Sequence, residues 1–263
     1  MNYIITGGHT GMGLALTKKL RKEGHQIGLI VRSTSRKKET QALFQGDEGI
    51  DLFVADLSKR DDIEQVAQQI QNKWEKVDGL FNNAGLLLDK LYYSDYGNEL
   101  QLEVNGISPY LLTKALKPLL DKAEQPFVVN TATGGLNNKK SVDIPAFRKP
   151  EKFTKLLGSY MDSKLILVLL MNDLSKDKDW AKVRFVNVNP GAIKTKMTAG
   201  SGMPFWLKPI RNLLFKSPEH GAKNLYQAAF DSKYQESGIF ISEGKIRPMK
   251  YVITKAEIAQ LFA

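Results

Sequence analysis

The chain has 263 residues, of which 42% are hydrophobic, and this length is normal for one α/β domain with a substantial core. It carries 38 Lys and Arg against 28 Asp and Glu, but the basic residues are scattered and do not alternate with aromatic ones, which argues against a nucleic-acid-binding module. Cysteine is absent, no apolar run could span a bilayer, and a strand predicted from residue 3 leaves no room for a signal peptide. We therefore expect a cytoplasmic protein.

Apolar strand-like runs alternate with amphipathic stretches along the chain, which predicts a doubly wound parallel sheet of about seven strands with helices on both faces. The predicted strands cover residues 3–6, 27–31, 50–54, 79–82, 127–131, 184–188 and 238–241. The predicted helices cover residues 13–23, 63–74, 98–120, 155–175 and 218–230. Because ligands bind at the carboxyl ends of the strands in such a sheet, motifs at these ends are candidate sites.

A glycine-rich turn follows the first predicted strand and opens the first helix. Glycine permits a tight turn, a close approach of backbone to pyrophosphate and close helix packing, and the helix N-terminus attracts phosphate. The alternative is a glycine-rich turn without a ligand. The loop residues predicted to bind a dinucleotide are Gly7, His9, Thr10, Gly11, Met12 and Gly13. For His9 we expect a contact within the loop rather than a catalytic role.

Arg32 ends the second strand, where an enzyme that uses NAD would carry a carboxylate for the ribose hydroxyl. A guanidinium there can bind a 2′-phosphate, so the sequence favours NADP(H), with NAD(H) as the alternative. Arg32 could also be an ordinary surface charge. Ser33 and Arg36 could assist it. After the third strand, Asp56 could accept from the adenine amino group beside Leu57, or it could cap the next helix.

Tyr160 and Lys164 lie four residues apart in a predicted helix and therefore share one face. A lysine charge roughly 4 Å from a phenol oxygen would stabilise the phenolate by about 4 kcal/mol at an effective dielectric constant near 20. We therefore expect Lys164 to lower the pKa of Tyr160 towards neutrality, as acid–base catalysis requires. The alternative is an ordinary pair on a helix face.

With these features in order, the chain resembles the short-chain dehydrogenase/reductase family over nearly its whole length, and within it the retinol dehydrogenase and protochlorophyllide reductase-like group. The glycine spacing Gly-x-x-x-Gly-x-Gly is the form that this family uses. The other segments that carry the resemblance are Asn-Asn-Ala-Gly at 82–85, Asn105, Asn-Thr-Ala-Thr-Gly at 130–134, Tyr160-Met-Asp-Ser-Lys164 and Asn-Pro-Gly-Ala-Ile-Lys-Thr at 189–195.

The resemblance implies a single Rossmann domain and a hydride transfer between a nicotinamide and a substrate carbon. Tyr160 would exchange a proton with the substrate oxygen, Thr133 would bind that oxygen, Lys164 would also hold the nicotinamide ribose, and Asn105 would organise a water. Thr133 stands where the family usually has serine, and its methyl group would narrow the site. The resemblance adds cofactor contacts at Asn83, Ala84, Gly85, Pro190, Gly191, Ile193 and Thr195.

Two segments, 134–159 and 199–216, are predicted to cover the substrate. The second segment is apolar and basic, and its apolar side predicts a bulky hydrophobic aldehyde or ketone as the substrate. Alternatively, this segment could contact a membrane surface or pack on the core. Three separated histidines without cysteine give no metal site. The leading function is an NADP(H)-dependent carbonyl reductase or alcohol dehydrogenase, and the alternative is a non-catalytic protein that senses NADP(H). Either a monomer or a homo-oligomer is expected.

Overall fold

The computed structural model describes residues 1–203 and 214–263, and one eight-stranded sheet runs through this part of the chain. The strands lie in the order β3-β2-β1-β4-β5-β6-β7-β8, and all neighbours are parallel except β7 and β8. Their bounds are β1 Asn2–Thr6, β2 Gln26–Val31, β3 Ile50–Val54, β4 Gly79–Asn82, β5 Phe127–Thr131, β6 Arg184–Asn189, β7 Ile239–Ser242 and β8 Lys245–Arg247. The order reverses between β1 and β4, so a crevice opens at their carboxyl ends.

Helices cover both faces of the sheet. In the described residues they are α1 Gly11–Lys22, α2 Thr34–Leu43, α3 Arg60–Lys73, α4 Leu100–Leu102, α5 Ser108–Ala115, α6 Lys117–Leu120, α7 Ile144–Arg148, α8 Met161–Leu174, α9 Lys196–Ala199, α10 Pro218–Phe230 and α11 Lys255–Gln260. Two π-helical turns, Glu103–Ile107 and Lys155–Tyr160, lead into α5 and α8. Short 3₁₀ turns occupy Leu136–Asn138, Lys178–Trp180 and Ser232–Tyr234.

Successive residues of the central strands face two separate hydrophobic clusters. Ile4 and Val128 point to the cluster that includes α3, α5 and α8, whereas Ile5 and Val129 point to the cluster that includes α1 and α10. This alternation explains why the central strands are continuously apolar, since both faces are buried. The predicted fold class and its parallel strands are confirmed.

Strand β8 and helix α2 of the structure were not predicted. β8 adds an antiparallel strand through the turn at Glu243 and Gly244, whose φ angles of 54° and 72° suit a tight hairpin. All three residues of β8 are exposed, so no apolar pattern marks it. Helix α2 likewise buries only Thr40 and has no apolar face to signal it.

The two long predicted helices are interrupted. In the first, the π turn at Glu103–Ile107 separates α4 from α5, and a Cβ atom on Gly106 would lie 2.9 Å from the carbonyl oxygen of Ser163 in α8. In the second, Gly158 leaves helical geometry with φ −107° and ψ −115°. The first interruption lies at a tertiary contact, and both adjoin functional candidates, as π turns often do.

Candidate active site

A cavity of about 420 Å³ opens at the carboxyl edge of the sheet, at the point where the strand order reverses. Most of the predicted cofactor residues line it, together with Tyr160 and Lys164. The predicted residues in its wall are Gly7, His9, Thr10, Gly11, Met12, Gly13, Arg32, Asp56, Leu57, Asn83, Ala84, Gly85, Tyr160, Lys164 and Thr195. Sequence reasoning missed the remaining wall residues, which are Ile30, Ala55, Ser58, Leu86, Leu100, Val104, Thr131, Lys196 and Met197.

The glycine loop leaves no room for side chains where it meets its neighbours. Gly7 and Gly11 have φ angles of 67° and 52°, which glycine adopts without strain. A Cβ atom on Gly13 would overlap the carbonyl oxygen of Gly7 and lie 2.5 Å from Nδ2 of Asn83. Helix α1 begins at Gly11, so its first N–H groups lie at the cavity, where they suit a phosphate.

The turn after β4 is tied to the end of β1. The backbone nitrogens of Asn83 and Ala84 donate to Oγ1 of Thr6 at 3.0 and 2.9 Å, and Nδ2 of Asn83 donates to the carbonyl oxygen of Thr6 at 3.0 Å. These bonds hold the wall that faces the glycine loop. The predicted contacts at Asn83, Ala84 and Gly85 therefore lie on a rigid surface of the cavity.

At the ends of β2 and β3, Arg32 and Asp56 line the cavity but Ser33 does not. Oγ of Ser33 accepts from the backbone nitrogen of Arg36 and caps α2, which gives this hydroxyl a structural role. Oδ1 of Asp56 accepts from the backbone nitrogen and hydroxyl of Ser58 at 3.0 and 2.8 Å. Asp56 thus stabilises its own turn and does not cap α3, which begins later, after Lys59.

Tyr160 ends a π turn and Lys164 lies one turn into α8, with 8% and 2% of their surface exposed. Burial raises the pKa of the Tyr160 phenol to about 12 and lowers the pKa of Lys164 to about 7. Nζ of Lys164 donates to the carbonyl oxygen of Thr131 at 2.7 Å. The predicted lowering of the Tyr160 pKa is therefore wrong, because burial disfavours both the phenolate and the ammonium that was to stabilise it.

The two threonines at the end of β5 occupy different positions. Thr131 lines the cavity, and its buried hydroxyl has no hydrogen-bond partner in the described structure. Thr133, the predicted catalytic residue, lies half-buried beyond the strand and is not part of the cavity wall. The sequence signal for Thr131 was its place on the last residue of a strand whose end faces the crevice.

Asn105 is fully buried in the π turn at Glu103–Ile107. Its Oδ1 accepts from the backbone nitrogen of Leu86 at 2.7 Å, while its Nδ2 donates to the carbonyl oxygen of Leu86 at 2.9 Å and to Oγ of Ser163 at 3.1 Å. Asn105 does not line the cavity itself. Its side chain joins the cavity wall at Leu86 to the helix that carries Lys164.

The segment after β6 contributes Thr195 to the cavity wall, but not Pro190, Gly191 or Ile193. Ile193 is buried in the cluster beneath α1, and the carbonyl oxygen of Pro190 accepts from Nδ2 of Asn224 at 2.9 Å. Thr195 caps α9, which turns the chain across the cavity so that Lys196 and Met197 also line it.

The described parts of the two predicted covering segments contact each other. Nζ of Lys155, in the 134–159 segment, donates to the carbonyl oxygen of Ser201 at 3.0 Å. Gly202 is buried against Leu87, where a Cβ atom would overlap the backbone. Residues 204–213 of the predicted 199–216 segment lie outside the described residues, so its role as a lid, membrane contact or packed helix stays a prediction.

The described residues contain neither a metal-ligand cluster nor a membrane-spanning helix. No group of three or more His, Asp or Glu side chains in residues 1–203 and 214–263 could hold a metal ion. In the same part of the chain, no helix is both long and apolar enough to cross a bilayer.

Comparison with known proteins gives matches along the chain. A family model described as short chain dehydrogenase matches residues 2–142. Retinol dehydrogenase 11 of Mus musculus is 26% identical over 253 residues, which cover 94% of this chain and 79% of the relative. Short chain dehydrogenase/reductase dpchH of Colletotrichum higginsianum is 27% identical over 258 residues, but this chain spans only 64% of its length. These matches confirm the resemblance predicted from the sequence.

Solved structures show the same fold. The NADPH-bound carbonyl reductase from chicken fatty liver superposes with a TM-score of 0.72 at 20% identity, covering 94% of this chain and 98% of that one. At this identity the match supports the arrangement of strands and helices and nothing finer.

Proposed function

This chain belongs to the short-chain dehydrogenase/reductase family of oxidoreductases, and within it we propose an NADP(H)-dependent enzyme that interconverts a hydrophobic aldehyde or ketone and its alcohol. One observation carries the proposal. A single cavity brings together a glycine loop, Arg32 and the buried pair Tyr160 and Lys164. A phosphate cradle and an acid–base pair in one cavity are what this reaction requires.

The residues present fit a dinucleotide phosphate. The glycine loop keeps its tight turn only without a side chain at Gly13, whose Cβ would overlap the carbonyl oxygen of Gly7. Two buried polar atoms at the cavity, Nδ1 of His9 and Oγ1 of Thr131, have no hydrogen-bond partner in the described structure, and a bound ligand would supply one. Arg32 would hold the 2′-phosphate, the glycine loop the pyrophosphate, and Lys164 the nicotinamide ribose. A bound NADPH would supply the hydride.

The protein's contribution to the reduction is proton donation and orientation. Because burial raises the pKa of Tyr160 to about 12, its phenol holds its proton at neutral pH, and donation to a carbonyl oxygen requires a positive charge that stabilises the phenolate. As that proton leaves, a protonated Lys164 on the same helix face would stabilise the phenolate. The family resemblance assigns Thr133 to the substrate oxygen, although Thr133 lies outside the cavity wall. We assign Asn105 to positioning α8 through Ser163.

The substrate preference follows from the apolar part of the wall. Leu86, Leu100, Val104 and Met197 line the same cavity as Tyr160, so the apolar surface of a substrate would leave water for an apolar wall, which is favourable. The name of the mouse relative, a dehydrogenase of retinol, agrees with an apolar alcohol or aldehyde.

The test compares Tyr160→Phe with Tyr110→Phe, a control that removes the hydroxyl of another buried tyrosine outside the cavity. NADPH and NADH oxidation would be followed with a panel of apolar aldehydes and ketones. We expect the wild type and Tyr110→Phe to turn over with NADPH, and Tyr160→Phe to bind NADPH normally but to lose about 100-fold or more in turnover.

Near-normal carbonyl reduction by Tyr160→Phe would refute the assignment of the proton donor. Tight NADPH binding by the wild type without turnover of any carbonyl or alcohol would instead support a protein that senses the cofactor.

A further inference from the structure

Glu103 carries a buried carboxylate just outside the cavity wall. The side chain is fully buried at the start of the π turn Glu103–Ile107. Its Oε1 accepts from Nε of Arg60 at 2.8 Å, and its Oε2 accepts from Nη2 of Arg60 at 3.2 Å and from Nδ2 of Asn98 at 2.7 Å. Removing a partner would leave a buried charge unpaired, so the elements that supply the partners are held in one arrangement.

Arg60 connects this carboxylate to the cofactor side of the cavity. It opens α3 directly after the turn that follows β3, and the turn residues Asp56, Leu57 and Ser58 line the cavity. The backbone nitrogen of Arg60 donates to the hydroxyl of Tyr96 at 2.9 Å, and its guanidinium carbon lies 4.1 Å from the centre of that ring. Both the backbone and the side chain of Arg60 are therefore fixed at the point where the turn becomes a helix.

Asn98 connects the same carboxylate to the 134–159 segment, which is predicted to cover the substrate. Oδ1 of Asn98, a fully buried residue, accepts from Nε of Arg148 at 2.6 Å. The other two guanidinium nitrogens of Arg148 donate to the carbonyl oxygens of Gln260 and Ala263 at 2.6 and 2.7 Å. Because Arg148 is the last residue of α7, these bonds fix the position of that helix end.

We propose that Glu103 is a positioning residue that couples the cofactor turn at 56–58 to the 134–159 segment. One arm of the network runs from the turn to Glu103 through Arg60, and the other runs from Glu103 to the segment through Asn98. A cofactor that binds the ordered turn more tightly then also favours the ordered segment, since both share one set of hydrogen bonds. The inference rests on the cofactor and reaction proposed above, and it adds residues that link cofactor binding to the substrate side.

Limited digestion with trypsin measures this coupling without the reaction, because Lys140 and Lys152 of the segment are exposed. We expect saturating NADPH to slow cleavage at these lysines about tenfold in the wild type. In Arg148→Met and Glu103→Gln, NADPH should still bind but slow this cleavage less than about twofold. Cleavage at the exposed Lys233, outside the network, is the reference that removes a general effect of cofactor binding on stability.

Steady-state kinetics with the best apolar aldehyde of the panel above separates positioning from catalysis. At saturating NADPH, Arg148→Met should raise KM about tenfold and change kcat less than about twofold, because no group at the reacting atoms is removed. Arg148→Lys, which keeps a donor for Asn98, should recover part of the KM. Asp51→Asn is the matched control: it weakens another ion pair, with Lys73, at the start of β3 and away from the cavity, and should leave KM and protection unchanged.

Two results would overturn the inference and leave the proposed function standing. One is equal protection of Lys140 and Lys152 by NADPH in the wild type and in Arg148→Met, in enzymes that both bind NADPH. The other is a loss of stability in Arg148→Met, measured by urea unfolding, with the KM of the wild type retained, which would make the network purely structural. A wild type that does not bind NADPH would refute the proposed function and this inference together.

Discussion

Replacing Lys164 by Met should stabilise the folded protein while removing its activity. Lys164 is 2% exposed, and burial lowers its pKa from an ordinary value of 10.5 to about 7. The folded state must therefore hold, near neutrality, a group that the unfolded chain keeps charged and hydrated. Met fills a similar volume without that cost.

The pKa sets the size of the effect. At pH 7 the difference between the folded and unfolded pKa values costs the folded protein about 4 kcal/mol. The hydrogen bond from Nζ of Lys164 to the carbonyl oxygen of Thr131, at 2.7 Å, stabilises the wild type by about 1–3 kcal/mol, and the Met variant lacks it. We therefore expect Lys164→Met to be more stable than the wild type by about 1–3 kcal/mol at pH 7.

The pH dependence of this stability difference is the sharper test, because it depends mainly on the pKa of Lys164 and much less on the hydrogen bond to Thr131. The cost of burying Lys164 is fully present below its pKa in the folded protein and disappears as pH rises towards its pKa in the unfolded chain. Between pH 7 and 9.5 the free energy of unfolding of the wild type should therefore rise by about 3 kcal/mol relative to that of Lys164→Met. Denaturant unfolding of both proteins at several pH values measures this difference, and NADPH turnover checks the loss of activity. A stability difference that stays constant over this range would refute the burial argument.

Two further substitutions test the walls of the cavity. Gly13→Ala should weaken NADPH binding, measured by fluorescence titration, at least tenfold, because the added Cβ would overlap the carbonyl oxygen of Gly7. The control is Gly24→Ala, where φ is 82° and no atom lies within 4 Å of the added Cβ. This control should lower the stability of the protein but leave its affinity for NADPH unchanged. Asn105→Ala should cost about 2–4 kcal/mol in urea unfolding, since it leaves both backbone groups of Leu86 without the partners they have now; a loss below 1 kcal/mol would contradict this account.

The sheet and the glycine loop could be predicted because their causes are local. Strands such as β4 and β5 are short, continuously apolar runs, and their predicted bounds, 79–82 and 127–131, are those observed. Helix α10 also begins and ends as predicted, since Ser217 caps it before Pro218. The family resemblance placed Tyr160 and Lys164 at the cofactor site, and both lie in the wall of the cavity.

Other features depend on contacts between distant residues. The π turn that contains Asn105 exists where Gly106 packs on α8, and no local pattern encodes that approach. The pKa of Tyr160 was mispredicted because a spacing of four residues shows proximity to Lys164 but not burial, and burial is the larger effect. The exposed strand β8 and the polar helix α2 lack an apolar pattern.

The burial of Lys164 follows from the position of α8 in the core and affects the charge of its amine. Every residue from Ser163 to Met171 is buried, so α8 runs through the core and carries a lysine where a surface helix would not. Its Nζ bonds a carbonyl oxygen at the last residue of β5, where the parallel ladder ends. The strand end that creates the crevice thus also gives the buried amine a partner. A lysine held there can change its charge near neutral pH, which a solvated lysine cannot, and in the proposed reaction its protonated form would stabilise the phenolate of Tyr160.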